Sequence, residues 1–202
     1  MLDAIKKGFD KLPVSREFRD IVNLPNTVTM LRVTILPVLF LLLLQPNKLV
    51  SLIIAVLFAL AALTDMLDGY IARRYKIVTK IGKLLDPIAD KMIVSTAMIL
   101  MIPVGRIPAW IVAIIIIRDI AIDGIRHVAS IGGLIISASR IGKYKTFAQE
   151  AAITALIIHY PLLGLDAHFI GLIILYLALA LTVLSGVEYF MKFFRWAFKS
   201  NV

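Results

Sequence analysis

The sequence has no cysteine, three histidines, and 13 acidic residues against 22 lysines and arginines. The first absence excludes disulfides and thiolate metal sites. The histidines, His127, His159 and His168, are scattered. They form no ligand set and read as polar or interfacial residues. No internal repeat or low-complexity tract stands out. A cleavable signal peptide is not expected. The first long apolar run starts only near Thr27, and the segment before it carries acids as well as bases. The shortage of acids leaves a net charge of +9. In a soluble protein that excess would suggest nucleic acid. Here 60% of the residues are hydrophobic and mean hydropathy is +0.93, outside the soluble range. The positive charge then marks an anionic cytoplasmic leaflet or a phosphorylated substrate, and no nucleic-acid partner is expected.

Six apolar stretches approach the length that a bilayer core requires. They run over Thr27–Gln45, Leu49–Arg73, Leu84–Pro103, Pro108–Ser130, Thr146–Leu163 and Ala167–Met191. An all-α integral membrane fold of six transmembrane helices follows. Sixteen of the 22 lysines and arginines fall in the N-terminal segment, the two even-numbered connections and the tail. The opposite connections hold only Lys48 and Arg106. Both termini are therefore expected on the cytoplasmic side. Residues 1–22 carry Leu2, Ile5, Phe9 and Leu12 at helical spacing, with Lys6, Lys7, Asp10 and Lys11 between them. That pattern predicts an amphipathic interfacial segment on the cytoplasmic leaflet, ahead of a membrane domain spanning 23–202. Trp110, Tyr189 and Trp196 suit aromatic belts, and the methionines suit packing.

The chemistry-bearing residues sit where the second apolar run ends and the third begins. Asp65 and Asp68 are three residues apart, and Asp86 and Asp90 are four apart. On helices, each pair shares a face. A short connection brings the pairs together near the cytoplasmic ends of the two helices. Four neighbouring carboxylates repel one another and are costly beside a bilayer core, so positive charge must neutralise them. Salt bridges to Arg73, Arg74, Lys83 and Lys91 are one solution. Two divalent cations, Mg²⁺ or Mn²⁺, are the better one for hard oxygen ligands. Such a pair can clamp a pyrophosphate. Gly69 and Ala72 keep the acidic face shallow, and Gly82 permits a tight entry to the third span.

The run D-x2-D-G-x2-A-R-x8-G-x3-D-x3-D, from Asp65 to Asp90, resembles the motif of the CDP-alcohol phosphatidyltransferases at every fixed position. The resemblance implies a six-span enzyme that moves a phosphatidyl group from CDP-diacylglycerol to an alcohol and releases CMP. It implies that Asp65, Asp68 and Asp86 hold the metals with help from Asp90, and that Asp90 is the base. It places Gly69, Ala72, Arg73, Thr79 and Gly82 at the CDP-lipid site. It also implies a homodimer in membrane lipid, in a bacterial cytoplasmic (inner) membrane with the active site on the cytoplasmic side.

Three further segments bear on the acceptor. Asn26, Thr29 and Arg32 are spaced by three on the first span. Asn26 suits a helix N-cap, while Arg32 lies about 9 Å inside the span and needs a partner or a polar cavity. These three are assigned to the CDP-lipid site. Arg118 and Arg126 lie in the fourth span beside Asp119 and Asp123, where mutual neutralisation is the plain alternative. Lys143, Lys145, Thr146 and Gln149 open the fifth, where lysines also satisfy the positive-inside rule. Arg118, Arg126, Lys143 and Lys145 together suit an acceptor that carries its own phosphate.

Pro25–Arg32 and Gly142–Gln149 resemble the branch of the family whose acceptor is glycerol 3-phosphate. Asp119 and Asp123 depart from that branch, which usually has Glu and a small hydroxyl residue there. Inositol phosphate as acceptor, and a divalent-cation transporter, are the competing readings.

Overall fold

The computed structural model describes residues 24–45, 47–75, 80–132 and 140–199, with side chains over 30–45, 47–64, 87–132 and 141–198. The expected interfacial segment at 1–22 lies outside them. Among the described residues the chain is all-helical: α1 (Leu24–Leu41), a short 3₁₀ turn (Leu42–Leu44), α2 (Lys48–Tyr75), α3 (Lys80–Met101), α4 (Ala109–Ile131), α5 (Arg140–Ile158) and α6 (Ala167–Lys199). Each helix overlaps one of the six apolar stretches.

The ends differ where polar residues extend a helix that an apolar count cuts short. α5 starts at Arg140, six residues before Thr146, and α6 runs past Met191 to Lys199. α1 starts at Leu24, so Asn26 lies inside its first turn and is not the cap. Pro25 causes no break there, because the first turn needs no backbone donor from it. The connections are locally specified. Asn47 Oδ1 accepts the amides of Leu49 and Val50 and caps α2. Asp166 Oδ1 accepts the Phe169 amide at the start of α6. Gly105 and Gly164 take the left-handed conformation in the α3–α4 and α5–α6 turns.

α5 packs closely on α6, α1 on α3, α2 on α5, and α4 on α6. The α5–α6 approach depends on Gly171, where a Cβ would sit 2.9 Å from Leu156 Cγ. Phe40, Phe58, Met98, Met101, Ile111 and Ile153 belong to one continuous core. The outer surface is also apolar. On α4, Ile115 is fully buried while Ile117 and Ile120 are 67% and 68% exposed. Exposed apolar faces of this kind suit a lipid solvent. Among the described residues one helix, over Ala167–Phe198, is long and apolar enough to cross a membrane. Met30–Leu44 and Lys48–Thr64 are shorter apolar stretches. α4 carries Arg118, Asp119, Asp123 and Arg126 in its second half, which lowers its apolar character.

Arg106 closes the end of the bundle formed by the α3–α4 turn. Only 2% exposed, it donates from Nη1 to Ile157 O (2.7 Å) and from Nη2 to Ser51 Oγ (3.0 Å). Its guanidinium lies over the Tyr160 ring, 5.9 Å from the centroid. Burial lowers its pKa from the ordinary guanidinium value, but arginine stays charged. His159 and His168 meet nearby, Nδ1 to Nδ1 at 3.1 Å, across the α5–α6 turn. Distance along the chain hid that pairing.

Candidate functional site

The helical backbone carries Asp65 and Asp68 in the second half of α2, and Asp86 and Asp90 in the first half of α3. These positions keep the i, i+3 and i, i+4 register on two consecutive helices. The side chains of Asp65, Asp68, Gly69, Ala72, Arg73, Gly82 and Asp86 lie outside the described residues, as do Thr79 and the side chains of Asn26 and Thr29. Asp90 is exposed. It shares a cavity with Arg32 and Leu36 of α1, Phe58 and Ala61 of α2, and Glu150 of α5. Arg32 therefore borders a recess that is mostly apolar but also holds the acidic residues Asp90 and Glu150. Glu150 was not singled out from the sequence, because it follows a run of basic residues and has no motif of its own.

A second polar group lies between α4, α5 and α6. Lys145 of α5 is 7% exposed at its side chain and donates to both oxygens of Asp119, at 2.6 and 2.7 Å. Arg118 Nη1 donates to the same Asp119 Oδ1 at 2.9 Å. Two cations are thus held to one carboxylate, where its i, i+1 neighbour alone was expected to neutralise it. Asp123 pairs with Lys91 of α3, the residue that follows Asp90. The expected partners of Asp123 were Arg118 and Arg126. The α3–α4 pairing wins because Lys91 and Asp123 face each other across the helix interface.

From α6, Ser185 Oγ accepts Arg118 Nη2 at 2.7 Å. The Tyr189 ring lies 6.0 Å from the Arg118 guanidinium and 5.8 Å from that of Arg126. Tyr189 is only 4% exposed, so it is no interfacial belt residue. Its ring is drawn inward by two cations. Trp110 does sit at the surface, against Tyr176, and Trp196 packs over Gly132 at the end of α4.

The remaining expected acceptor residues are dispersed along α5. Gln149 is buried, with Nε2 3.9 Å from Met98 Sδ of α3. Thr146 donates its hydroxyl to Gly142 O of its own helix. Lys143 is exposed. Since α5 begins at Arg140, Lys145 and Thr146 stand in its second turn and do not open the helix. The grouping of Arg118, Arg126 and Lys145 brings charge-assisted donors together, with Lys145 buried, Arg118 half-buried and Arg126 exposed. That environment suits an oxyanion. Two carboxylates, Asp119 and Asp123, moderate its charge.

The sequence profile described as CDP-alcohol phosphatidyltransferase matches residues 22–184, which enclose Asp65–Asp90 and all of α4 and α5. The chain is 38% identical over 182 residues to the CDP-diacylglycerol–glycerol-3-phosphate 3-phosphatidyltransferase of Bacillus subtilis (strain 168), covering 84% of this chain and 94% of that protein. It is 37% identical over 169 residues to the protein of the same name in Rickettsia typhi, covering 83% and 95%. It is 35% identical over 178 residues to a probable phosphatidylglycerophosphate synthase of Mycobacterium tuberculosis, covering 87% and 83%.

Proposed function

The chain belongs to the CDP-alcohol phosphatidyltransferase family, and from that membership we propose that it transfers the phosphatidyl group of CDP-diacylglycerol to glycerol 3-phosphate. The products are phosphatidylglycerol phosphate and CMP. The observation that carries this reading is the profile match over residues 22–184, which takes in both the aspartate run and the basic cluster of α4 and α5. The names of the relatives favour glycerol 3-phosphate over inositol phosphate as the acceptor.

The donor set of the aspartate run fits divalent cations. It consists of hard carboxylate oxygens at helical register on two successive helices. Asp65, Asp68, Asp86 and Asp90 would hold Mg²⁺ or Mn²⁺, which when bound neutralises the pyrophosphate of the donor. Asn26, Thr29, Arg32, Gly69, Ala72, Arg73, Thr79 and Gly82 bind the CDP-lipid. Arg118, Arg126, Lys143, Lys145, Thr146 and Gln149 serve the acceptor, with the phosphate held by the cations. Asp90 takes the proton from the acceptor hydroxyl as its oxygen bonds to the phosphatidyl phosphorus. The phosphorus–oxygen bond to CMP breaks in the same displacement.

The six helices act as six spans, with both termini and the active site on the cytoplasmic side of a bacterial inner membrane. The exposed apolar faces of α1, α2, α4 and α6 support that arrangement. Residues 23–202 form the membrane domain, 1–22 lie on the membrane surface, and the enzyme works as a homodimer among membrane lipids.

Purified enzyme in detergent with CDP-diacylglycerol and Mg²⁺ or Mn²⁺ should release CMP when glycerol 3-phosphate is added. Chelation of the metal should stop it. Equal turnover with inositol phosphate or serine would overturn the acceptor assignment. Metal uptake by proteoliposomes without CMP formation would favour the transporter instead.

A further inference from the structure

The α4–α6 interface contains polar machinery that the aspartate motif does not account for. We propose that Ser185 and Tyr189 of α6 are positioning residues for the acceptor phosphate, acting through Arg118 and Arg126. The proposal rests on the reading that these arginines serve a phosphorylated acceptor.

Ser185 is fully buried, and its hydroxyl has one hydrogen to give. That hydrogen goes to Thr182 O, at 3.1 Å. The oxygen is thereby turned to accept Arg118 Nη2 at 2.7 Å. Arg118 Nη1 is held by Asp119 on the other side. The guanidinium is thus pinned at both terminal nitrogens, while its Nε is buried and has no hydrogen-bond partner among the described residues. A buried donor left unpaired is costly and calls for a ligand. Gly186 leaves room beside that nitrogen. A Cβ there would stand 3.4 Å from Arg118 Nε and Cγ, at contact distance.

Tyr189 follows Ser185 by four residues, on the same face of α6. Its ring attracts both Arg118 and Arg126. An aromatic face stabilises a poorly solvated cation without neutralising it. Carboxylates in its place would compete with the acceptor phosphate for the same donors. α6 therefore contacts both guanidinium groups without adding a carboxylate of its own there. The closed contact of Trp196 with Gly132 keeps α6 in register with α4 at the same end.

The test compares Ser185→Ala and Tyr189→Leu with the wild type, all purified in detergent and checked for unchanged thermal midpoints. Loss of one such contact should raise the KM for glycerol 3-phosphate roughly three- to tenfold. The inhibition constant of inorganic phosphate should rise in proportion. kcat and the KM for CDP-diacylglycerol should stay within about twofold, which a merely structural role would not produce. Should one variant fail to fold, the other gives the same split.

Equal changes in both KM values, or an unchanged KM for glycerol 3-phosphate, would overturn the positioning role. A wild type inert with glycerol 3-phosphate but active with another phosphorylated alcohol would reject the acceptor reading alone. The phosphate-inhibition comparison, run with that alcohol, would then decide the positioning role.

Discussion

At the scale of single residues, Asp90 carries the sharpest expectation. It lies on α3 and lines the cavity that also holds Arg32 and Glu150. As the proposed base, it must accept a proton from the attacking hydroxyl. Asp90→Asn keeps the shape and an oxygen ligand but removes the basicity. Turnover should fall at least about a hundredfold, the lower range for a positioned general base. Binding of CDP-diacylglycerol, followed by tryptophan fluorescence or calorimetry, should remain largely intact. Retained turnover would remove Asp90 as base.

Asp119 illustrates what one sequence leaves open. Its neighbour Arg118 was visible at once, and that pair does form. The bidentate hold from Lys145, 26 residues away, follows from the packing of α5 beside α4 and α6, which no local pattern encodes.

At the scale of elements, Arg106 acts as a latch. From the α3–α4 turn it ties the start of α2 through Ser51 to the last turn of α5 through Ile157 O. Arg106→Met keeps the apolar shaft but leaves a helix-end carbonyl and a buried hydroxyl without their donor. The expected loss is about 2–4 kcal/mol, read as a lower thermal midpoint in detergent. Arg106→Lys should recover only part of it, because an ammonium lacks the planar fork. kcat of the folded fraction should hold, since Asp90 lies toward the other end of α3. A midpoint equal to wild type would refute the latch.

Helix existence was legible because apolar runs of bilayer length are local features. The aspartate register was legible for the same reason, as helix spacing alone defines it. The start of α5 at Arg140 was not, because polar helix formers carry no apolar signal. Ser185 and Tyr189 were not either. Each sits in an apolar run that reads as a plain span, and only the docking of α6 on α4 gives them partners.

At the scale of the whole molecule, charge and apolar surface are segregated. The basic residues cluster at the termini and the even-numbered connections, while exposed isoleucines, leucines and phenylalanines cover the helix sides. A bilayer accounts for both, since it accepts the apolar sides and sorts the basic connections to one face. The absence of cysteine makes this directly measurable. Leu163 stands 96% exposed in the α5–α6 turn, at the end predicted to face away from the cytoplasm. In spheroplasts, Leu163→Cys should react with a membrane-impermeant maleimide. Ser139→Cys, just before α5, and Ser200→Cys, in the tail, should react only after the membrane is permeabilised. Labelling of all three from outside would refute the six-span topology. Protection of Leu163→Cys with labelling of the other two would instead invert it, and would move the aspartates to the face opposite the one their basic neighbours predict.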